Sequence, residues 1–407
     1  MSREKIVAGL DVGSSKVVCV IAKKVESDIP EIIGIGSAPC HGLNKGSVAN
    51  IRETVRAIEE AVDAAETMAD ETIGEVVVGI KGQHINSINH STAINVVRTD
   101  KEIIHDDISQ VITSAKAIML PTDREIIHTI PQEFTVDGQK GIEDPIGLQG
   151  SHLSVDVHIV TGVKSYINNL QKCVNDAGFV CKEFVSNILA AGEVTVSPEE
   201  KKIGCVLIDM GAQTTDIAIY FDKSSRYIRE ISLGGDDITS DISHGLRTSA
   251  AVAKDIKEKY GSAITSLIDA KEEITYLSVD GRTQKTVTRK TLCDIIKPRV
   301  EEILSFVDDE ITKSPYKDLI SSGVIITGGA CQLLGMKEAC EEILQLPTII
   351  GIPQYIRGSV NGLADPSFAC AIGLVKVNFS ELERSSRYIS KKPGWLTKLK
   401  KLFEDAI

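Results

Sequence analysis

The sequence predicts a mixed α/β protein that contains an internal duplication and ends in an amphipathic helix. The duplication is predicted because an apolar strand, a glycine turn and a second apolar strand follow one another twice, from residue 6 and again from residue 205. Between the two copies, residues 153–160 alternate apolar and polar side chains, which predicts a half-buried strand. The last residues repeat apolar side chains at helical spacing, which predicts the terminal helix.

Composition bounds the size and the class of the protein. A chain of 407 residues exceeds the about 250–300 residues that a single core usually supports, so at least two domains are expected. The net charge of −12 argues against nucleic-acid binding by the body of the protein. Nine cysteines are scattered without a CxxC pair, which is typical of buried thiols in a reducing cytoplasm.

The first residues and the hydropathy of the chain predict its relation to membranes. Residues Met1–Lys5 are polar and lead directly into an apolar strand, so no secretory signal is expected. No run reaches the roughly 18 apolar residues that span a bilayer. Any membrane contact is therefore expected to be peripheral.

The two predicted hairpins have the same order of residues. In each, an aspartate lies near the end of the first apolar strand, and a glycine turn with hydroxyl side chains follows. The aspartates are Asp11 and Asp209. The turn residues are Gly13, Ser14, Ser15 and Lys16 in the first hairpin and Gly211, Gln213, Thr214 and Thr215 in the second. A separation of about 200 residues indicates an internal duplication of one motif.

Such a pair of turns suits phosphate and magnesium. Glycines let backbone N–H groups approach phosphate oxygens, and Ser or Thr hydroxyls add donors around an anion. Asp11 and Asp209 are then expected to face Mg²⁺, partly through water, because this ion is typically held by one or two carboxylates and the phosphates of a nucleotide. Either hairpin alone would be an ordinary β-hairpin; the two together favour a clamp around the phosphates of a nucleotide and Mg²⁺.

A third glycine turn follows a later apolar strand. Residues Val324–Thr327 form the predicted strand, Gly328, Gly329 and Ala330 form the turn, and a helix is expected from Gln332. Small side chains at this turn would let an adenine ring lie against the backbone. The turn is therefore a candidate adenosine site.

With these three turns, the sequence resembles the actin, sugar-kinase and DnaK-type chaperone superfamily. That resemblance implies an actin-like ATPase fold, with nucleotide in the cleft between two α/β domains. It also implies two connecting helices, here at residues 183–192 and 366–373, whose small residues allow close packing at a hinge. In the bacterial actin MreB the first of these helices opens with a glutamate that positions water, and Glu183 falls at the matching place; a surface glutamate at a helix start is the alternative.

Within the superfamily, the chain resembles the FtsA family of bacterial cell-division proteins. Residues 128–138 (HTIPQEFTVDG) and 144–150 (DPIGLQG) resemble the subdomain that is inserted in that family. The resemblance implies a first domain at 1–82, completed by 163–192 and part of 364–380; an insert at 83–162; a second domain at 193–363, with an outer subdomain at about 236–313; a linker at 381–393; and a terminal helix at 394–407.

One segment departs from the family pattern. Gly234 and Gly235 precede the adenosine-facing helix, which in the family carries an acid followed three residues later by a lysine. Here those two places hold Lys254 and Lys257. The resemblance implies that Lys257 contacts ribose or phosphate. Lys254 cannot accept a hydrogen bond from a ribose hydroxyl, so nucleotide affinity or exchange is expected to differ from the family norm.

The histidines do not predict a metal site. His152 and His158 lie six residues apart in a predicted strand, on a face expected to be exposed. No acid or cysteine completes a set of ligands around them. Ordinary surface histidines are therefore expected.

The C-terminal segment predicts an amphipathic helix behind a polar, flexible linker. The residues expected at a membrane surface are Trp395, Leu396, Lys398, Leu399, Lys400, Lys401, Leu402 and Phe403. A helix of about 20 Å is too short to cross a hydrocarbon core of about 30 Å, but it suits the interface of an anionic membrane. A helix docked on the protein's own body is the alternative, and the position behind a linker favours the membrane.

The family resemblance implies a cell-division scaffold. Such a protein binds ATP and Mg²⁺, self-associates into filaments, binds the C-terminal peptide of the tubulin-like FtsZ and recruits later division proteins at the cytoplasmic face of the cell membrane. It implies at most a weak ATPase, because nucleotide serves chiefly to close the cleft. The alternatives are an actin-fold small-molecule kinase, whose substrate pocket the sequence does not reveal, and a PilM-like pilus assembly protein, which lacks the terminal helix.

Deleting residues 395–407 should leave a folded protein that no longer binds anionic liposomes, because the deletion removes both the apolar face and the lysines of the terminal helix. Co-sedimentation of the full-length and truncated proteins with liposomes measures the difference, and circular dichroism checks that the truncated protein is folded. A truncated protein that still pellets with anionic liposomes would show that this helix is not the membrane contact.

Overall fold

The computed structural model describes residues 6–23, 29–360 and 362–378. Its strands in chain order are β1 (Ile6–Val12), β2 (Lys16–Lys23), β3 (Glu31–Pro39), β4 (Leu43–Asn44), β5 (Ser47–Val48), β6 (Glu75–Ile80), β7 (Asn86–Asn95), β8 (Arg124–Val136), β9 (Gln139–Ile142), β10 (His152–Val163), β11 (Val180–Ser186), β12 (Cys205–Met210), β13 (Thr215–Phe221), β14 (Ser224–Ile231), β15 (Glu273–Leu277), β16 (Gln284–Thr288), β17 (Val324–Thr327) and β18 (Thr348–Ile350). Its α-helices are α1 (Ile51–Ala69), α2 (His105–Ala115), α3 (Lys164–Asp176), α4 (Asn187–Thr195), α5 (Pro198–Ile203), α6 (Gly235–Leu246), α7 (Ala250–Tyr260), α8 (Arg289–Lys313) and α9 (Met336–Leu344). A further helix occupies residues 369–378. The predicted linker and terminal helix, 381–407, lie outside the described residues.

Two five-stranded sheets share one topology. The first sheet has the strand order β3-β2-β1-β6-β11, and the second has the order β14-β13-β12-β17-β18. In both sheets the first three strands are antiparallel and the last two join in parallel. The predicted duplication of one α/β domain is therefore confirmed.

Burial explains why the central strands read as continuous apolar runs. All six residues of β12 are buried, and six of the seven in β1 are buried. A strand with helices on both faces of its sheet has no solvent side, so its residues need not alternate. On the outer face of the first sheet, α1 packs against β3 through residues spaced at helical intervals, Ala57, Ile58, Ala61, Val62 and Ala65.

The insert, formed by β7 to β10 with α2, is a separate antiparallel sheet. Its strand order is β7-β10-β8-β9, and α2 packs on β7 and β10. The inward side chains of β10 are buried at Leu153, Val155, Val157 and Ile159, which is the alternation that the sequence predicted. The chain leaves the first sheet after β6 and returns to that domain at α3.

The insert also packs against the edge of the second sheet. Strand β7 is an edge strand of the insert, and it contacts β14, an edge strand of the second sheet. The hydroxyl of Ser87 donates to the Ile228 carbonyl and accepts from the Ile228 N–H, both at 3.1 Å. The Arg229 guanidinium donates to Asn86 Oδ1 at 2.9 Å. This contact, the β7–β14 seam, is thus built largely from polar groups.

The seam buries His158, which the sequence pattern had assigned to an exposed face. His158 is 1% exposed and donates from Nδ1 to Asn89 Oδ1 at 2.7 Å. Burial, together with the nearby guanidinium groups of Arg229 and Arg226, lowers its pKa to about 3. His152, at the other end of β10, is exposed as predicted. The pattern failed because a second domain covers this part of the face.

Two predicted helix starts are wrong by a few residues. Glu183 does not open a helix; it lies in β11 opposite Val77 of β6, since the apolar residues that follow it extend the parallel sheet. Helix α4 begins only at Asn187. The helix expected from Gln332 begins at Met336, because Gly335 adopts a left-handed conformation (φ 79°) that separates it from a preceding 3₁₀ turn.

Lowering the pH from about 7.5 to about 5 should destabilise the wild-type protein by about 2 kcal/mol more than a His158→Asn variant. In the folded state this imidazole stays neutral down to about pH 3, whereas in the unfolded state it binds a proton below about pH 6.5. The stability that it contributes is therefore lost as the pH falls through that window. Urea denaturation at both pH values measures the difference.

The matched control is His152→Asn, which makes the same change at the exposed end of the same strand. It should retain the wild-type dependence on pH. A His158→Asn protein that loses as much stability on acidification as the wild type would contradict the prediction.

Candidate functional site

A cavity of about 580 Å³ opens between the two five-stranded sheets. Its volume lies within the range of about 300–1,000 Å³ that is usual for small-molecule sites. The sequence-predicted residues that line it are Asp11, Gly13, Ser14, Ser15, Lys16, Asp209, Gly211, Gly235, Lys254, Lys257, Gly328, Gly329 and Ala330. Residues far apart in the sequence therefore converge on one cleft.

The two hairpins present equivalent turns to this cleft. In the first, the Gly13 N–H donates to the Lys16 carbonyl at 3.1 Å, and in the second the Gly211 N–H donates to the Thr214 carbonyl at 2.8 Å. The strand registers also match, because each aspartate lies two residues before its glycine. A side chain at either glycine would press on the carbonyl across the turn, at 2.7 Å and 3.0 Å respectively.

Asp11 and Asp209 are both buried, each with a partner from a connecting segment. Asp11 Oδ1 accepts from Asn187 Nδ2 at 2.7 Å, and Asp209 Oδ2 accepts from the Cys370 thiol at 3.0 Å. Burial raises the pKa of Asp209, and the ammonium of Lys81 opposes that rise. Each carboxylate is therefore held by a hydrogen bond from another segment of the chain.

Lys81 is a cleft residue that the sequence reasoning missed. It directly follows β6 and lines the cavity. Burial lowers its pKa, but the carboxylates of Asp11, Asp209 and Asp216 raise it well above the ordinary value. The duplication holds a signal for it, because β6 occupies the place in the first sheet that β17 occupies in the second. The end of β6 is thus the counterpart of the third glycine turn.

A pair of carboxyl groups, one buried and one partly buried, lies behind Lys81. Asp216 and Glu230 face each other across β13 and β14. Burial, together with the charge of Glu230, raises the pKa of Asp216 well above its ordinary value. Glu230 also accepts a hydrogen bond from the Gly82 N–H. The residue after Lys81 is thereby tied to the second sheet.

The second domain's wall of the cleft brings together small residues and two lysines. Lys257 on α7 donates to the Gly235 carbonyl at 2.7 Å. A side chain on Gly235 would lie 3.3 Å from the Ala330 Cβ and 3.4 Å from Lys257 Nζ. Lys254 lines the same wall and pairs with Glu258 at 3.9 Å. An alanine-lined wall with two ammonium groups suits a base and a sugar phosphate.

Some predicted residues border the cavity without lining it. The side-chain amide oxygen of Gln213 accepts from the Lys45 N–H at 2.8 Å, which joins the two domains at the mouth of the cleft. The Thr215 hydroxyl donates to the Leu233 carbonyl at 2.9 Å and so supports the turn from behind. The predicted residues in this bordering group are Gln213, Thr214, Thr215 and Gly234.

Glu183 is not among the residues that line the cavity. It lies in β11, and the side chain that the first connecting helix directs toward Asp11 is the amide of Asn187. Lys16, by contrast, reaches the second connecting segment, where its ammonium donates to the Ser367 hydroxyl at 2.9 Å. It also lies 4.1 Å from the centre of the Phe368 ring.

Comparison with protein families finds two matches in this chain. The family described as "Cell division protein FtsA" matches residues 206–373. The family described as "SHS2 domain inserted in FTSA" matches residues 82–161. The second match falls on the segment that forms the insert.

Among curated proteins, the chain is similar to the cell division protein FtsA of Pseudomonas aeruginosa, with 36% identity over 371 residues, 91% of this chain and 88% of that protein. It is 37% identical to the cell division protein FtsA of Borreliella burgdorferi over 411 residues, covering 98% of this chain and 99% of that one.

Among solved structures, its fold is similar to a PilM–PilN type IV pilus biogenesis complex (TM-score 0.64, 17% identity, 92% of this chain and 98% of that chain). It is also similar to MreB5 of Spiroplasma citri bound to ADP (TM-score 0.58, 14% identity, 94% and 98%). At these identities the two structures support the actin-like fold alone.

Replacing Gly328 with alanine should lower the free energy of unfolding by about 1–3 kcal/mol, because the new methyl group overpacks a filled site. Gly328 has a φ of +86°, and a Cβ there would lie 2.2 Å from Asp209 Oδ1. The neighbouring Gly329→Ala variant is the control, because its Cβ would meet nothing closer than 3.8 Å; it should change stability by less than about 0.5 kcal/mol. Urea denaturation compares them, and equal effects at the two glycines would contradict the geometry.

Proposed function

Since the chain belongs to the FtsA family of cell-division proteins, we propose that it is an ATP-binding, actin-like scaffold. It polymerises and tethers the FtsZ ring to the cytoplasmic face of the membrane at the division site. In this proposal it recruits later division proteins there. The family resemblance stated from the sequence is thus confirmed, whereas the cofactors, partners and location belong to the proposal.

The observation that carries nucleotide binding is the equivalence of the two hairpins. Each presents a glycine turn with an aspartate two residues earlier, and both turns line one cavity. Convergent backbone N–H groups and lysines are a common way to hold the phosphates of a nucleotide. The wall at Gly235 and Ala330 leaves room for the base on the other side.

The donor set fits Mg²⁺. Asp11 and Asp209 supply hard carboxylate oxygens from two sides, and magnesium needs only one or two carboxylates when phosphates and water complete its shell. When bound, the ion would neutralise phosphate charge. Asn187 and Cys370 orient the two carboxylates through hydrogen bonds on their far sides, which supports binding through preset ligands.

Hydrolysis in this proposal is weak at most. The side chain that reaches from the first connecting helix to Asp11 is an amide, Asn187, which cannot act as a general base at neutral pH. ATP would act chiefly as a ligand that favours a closed cleft. Contacts across the cleft, such as Lys45 to Gln213, are available to that closed state.

The membrane and FtsZ contacts rest on different parts of the chain. The amphipathic pattern of residues 394–407 supports a peripheral membrane anchor, and no helix among the described residues is long and apolar enough to cross a bilayer. The outer subdomain, about 236–313, contains α6, α7, α8 and the β15–β16 hairpin. Leu277 and Val279 on that hairpin and its turn are exposed, which suits a short apolar peptide such as the FtsZ C-terminus.

Replacing Asp209 with asparagine should weaken binding of Mg²⁺–ATP by about tenfold or more, because it removes a charged ligand at the centre of the clamp. Isothermal titration measures the affinity, and electron microscopy on anionic lipid monolayers with ATP measures filament formation, which should also be lost. Asp255→Asn, on the exposed side of α7 and paired with Lys259, is the matched control and should behave as the wild type.

The outcomes separate this proposal from its rivals. Wild-type affinity in the Asp209→Asn variant would contradict the nucleotide site, and isolated monomers on lipid at all concentrations would contradict the polymer. A small-molecule kinase would release little phosphate until its substrate was added, so slow basal phosphate release without an acceptor favours the scaffold.

A further inference from the structure

The side chain of Lys81 ends between the two glycine turns. A methyl group placed on Gly13 would lie 3.9 Å from Lys81 Nζ, and a methyl group placed on Gly211 would lie at the same distance, 3.9 Å. The ammonium group is therefore close to both turns, although it comes from neither hairpin. Its position is set by β6, a central strand of the first sheet.

Lys81 lies among several acidic groups. Three carboxyl groups, those of Asp11, Asp209 and Asp216, act on its charge. Among the described residues, no carboxylate oxygen forms an ion pair with Lys81 within the usual 4.0 Å. Several surface lysines, by contrast, each form an ion pair with one neighbouring acid. Once Mg²⁺ occupies the space between Asp11 and Asp209, the ammonium group has less carboxylate charge to balance and can bind an anion.

The backbone beside Lys81 is held rigidly. Gly82 has a φ of +124°, and its N–H donates to the partly buried Glu230 of the second sheet. On the other side, β6 pairs with β1 and β11. Because the backbone next to Lys81 is already fixed, little backbone entropy is lost when its ammonium group binds a ligand.

We propose that Lys81 binds the terminal phosphate of a nucleoside triphosphate and thereby makes the cleft prefer ATP to ADP, a role that rests on the nucleotide-binding function proposed above. The other cleft lysines contact different groups. Lys257 lies against Gly235 on the adenosine side, and Lys16 is bonded to Ser367. The phosphate farthest from the ribose would lie where both turns and both metal-binding carboxylates converge, which is the place that Lys81 reaches.

A purely structural role for Lys81 would consist of neutralising buried acids. Removing the lysine would then weaken the fold and reduce the affinity for ATP and ADP alike. A direct contact with the terminal phosphate instead changes the ratio of the two affinities, because ADP has no such group. The ratio is therefore the quantity that distinguishes the two roles.

The test compares wild type, Lys81→Met, Lys81→Arg and Lys172→Met by isothermal titration with Mg²⁺–ATP and Mg²⁺–ADP. Lys172, on α3 and paired with Asp176 at the surface, controls for the loss of one lysine. Lys81→Met should lose about tenfold or more in affinity for ATP and less than about threefold for ADP, as expected for one charged hydrogen bond. Lys81→Arg should keep part of the preference for ATP, and Lys172→Met should keep all of it.

If Lys81→Met does not fold, the double variant Lys81→Met/Asp216→Asn removes one acid together with the lysine and is compared with Asp216→Asn alone. The double variant should bind ADP and lack the preference for ATP. Equal losses for both nucleotides, or no loss for either, would overturn the role of Lys81 while leaving the nucleotide site intact. A wild-type protein that binds neither nucleotide would overturn the proposed function and this inference with it.

Discussion

Like charges buried in one cleft are the constraint on which the rest of the structure depends. Asp11 and Asp209 lie at equivalent points of two facing hairpins, and each is less than a tenth exposed. Buried acidic groups are costly unless cations and hydrogen-bond donors offset their burial and repulsion. Lys81, Asn187 and Cys370 supply these groups from three different segments, so the architecture that assembles them is inseparable from the chemistry of the cleft.

The same cleft is connected to the insert through a short covalent path. Lys81 and Gly82 lead from the end of β6 directly into β7, and Gly82 is bonded to Glu230 of β14. The β7–β14 seam continues from that point through Ser87 and Ile228. Polar interfaces between domains permit relative movement more readily than apolar ones, and this polar seam begins at the residue that follows Lys81.

Local patterns predicted more of this molecule than long-range ones. The two hairpins, the third turn and the alternation in β10 are set by neighbouring residues, and the structure has them where the sequence placed them. Lys81 shows no such local pattern. Two of the acids that act on its charge, Asp209 and Asp216, are more than a hundred residues away in the sequence. The start of α4 was misplaced for a related reason: pairing with β6 keeps Glu183 in a strand, and helical spacing alone cannot reveal that partner.

The most direct measurement is a crystal structure of the protein grown with Mn²⁺ and a non-hydrolysable ATP analogue, with anomalous scattering used to locate the metal. The account predicts a manganese peak between the carboxylates of Asp11 and Asp209, phosphates at the turns that begin with Gly13 and Gly211, and the ammonium group of Lys81 on the outermost phosphate. A metal bound elsewhere, or two carboxylates that stay apart with no phosphate between them, would contradict it.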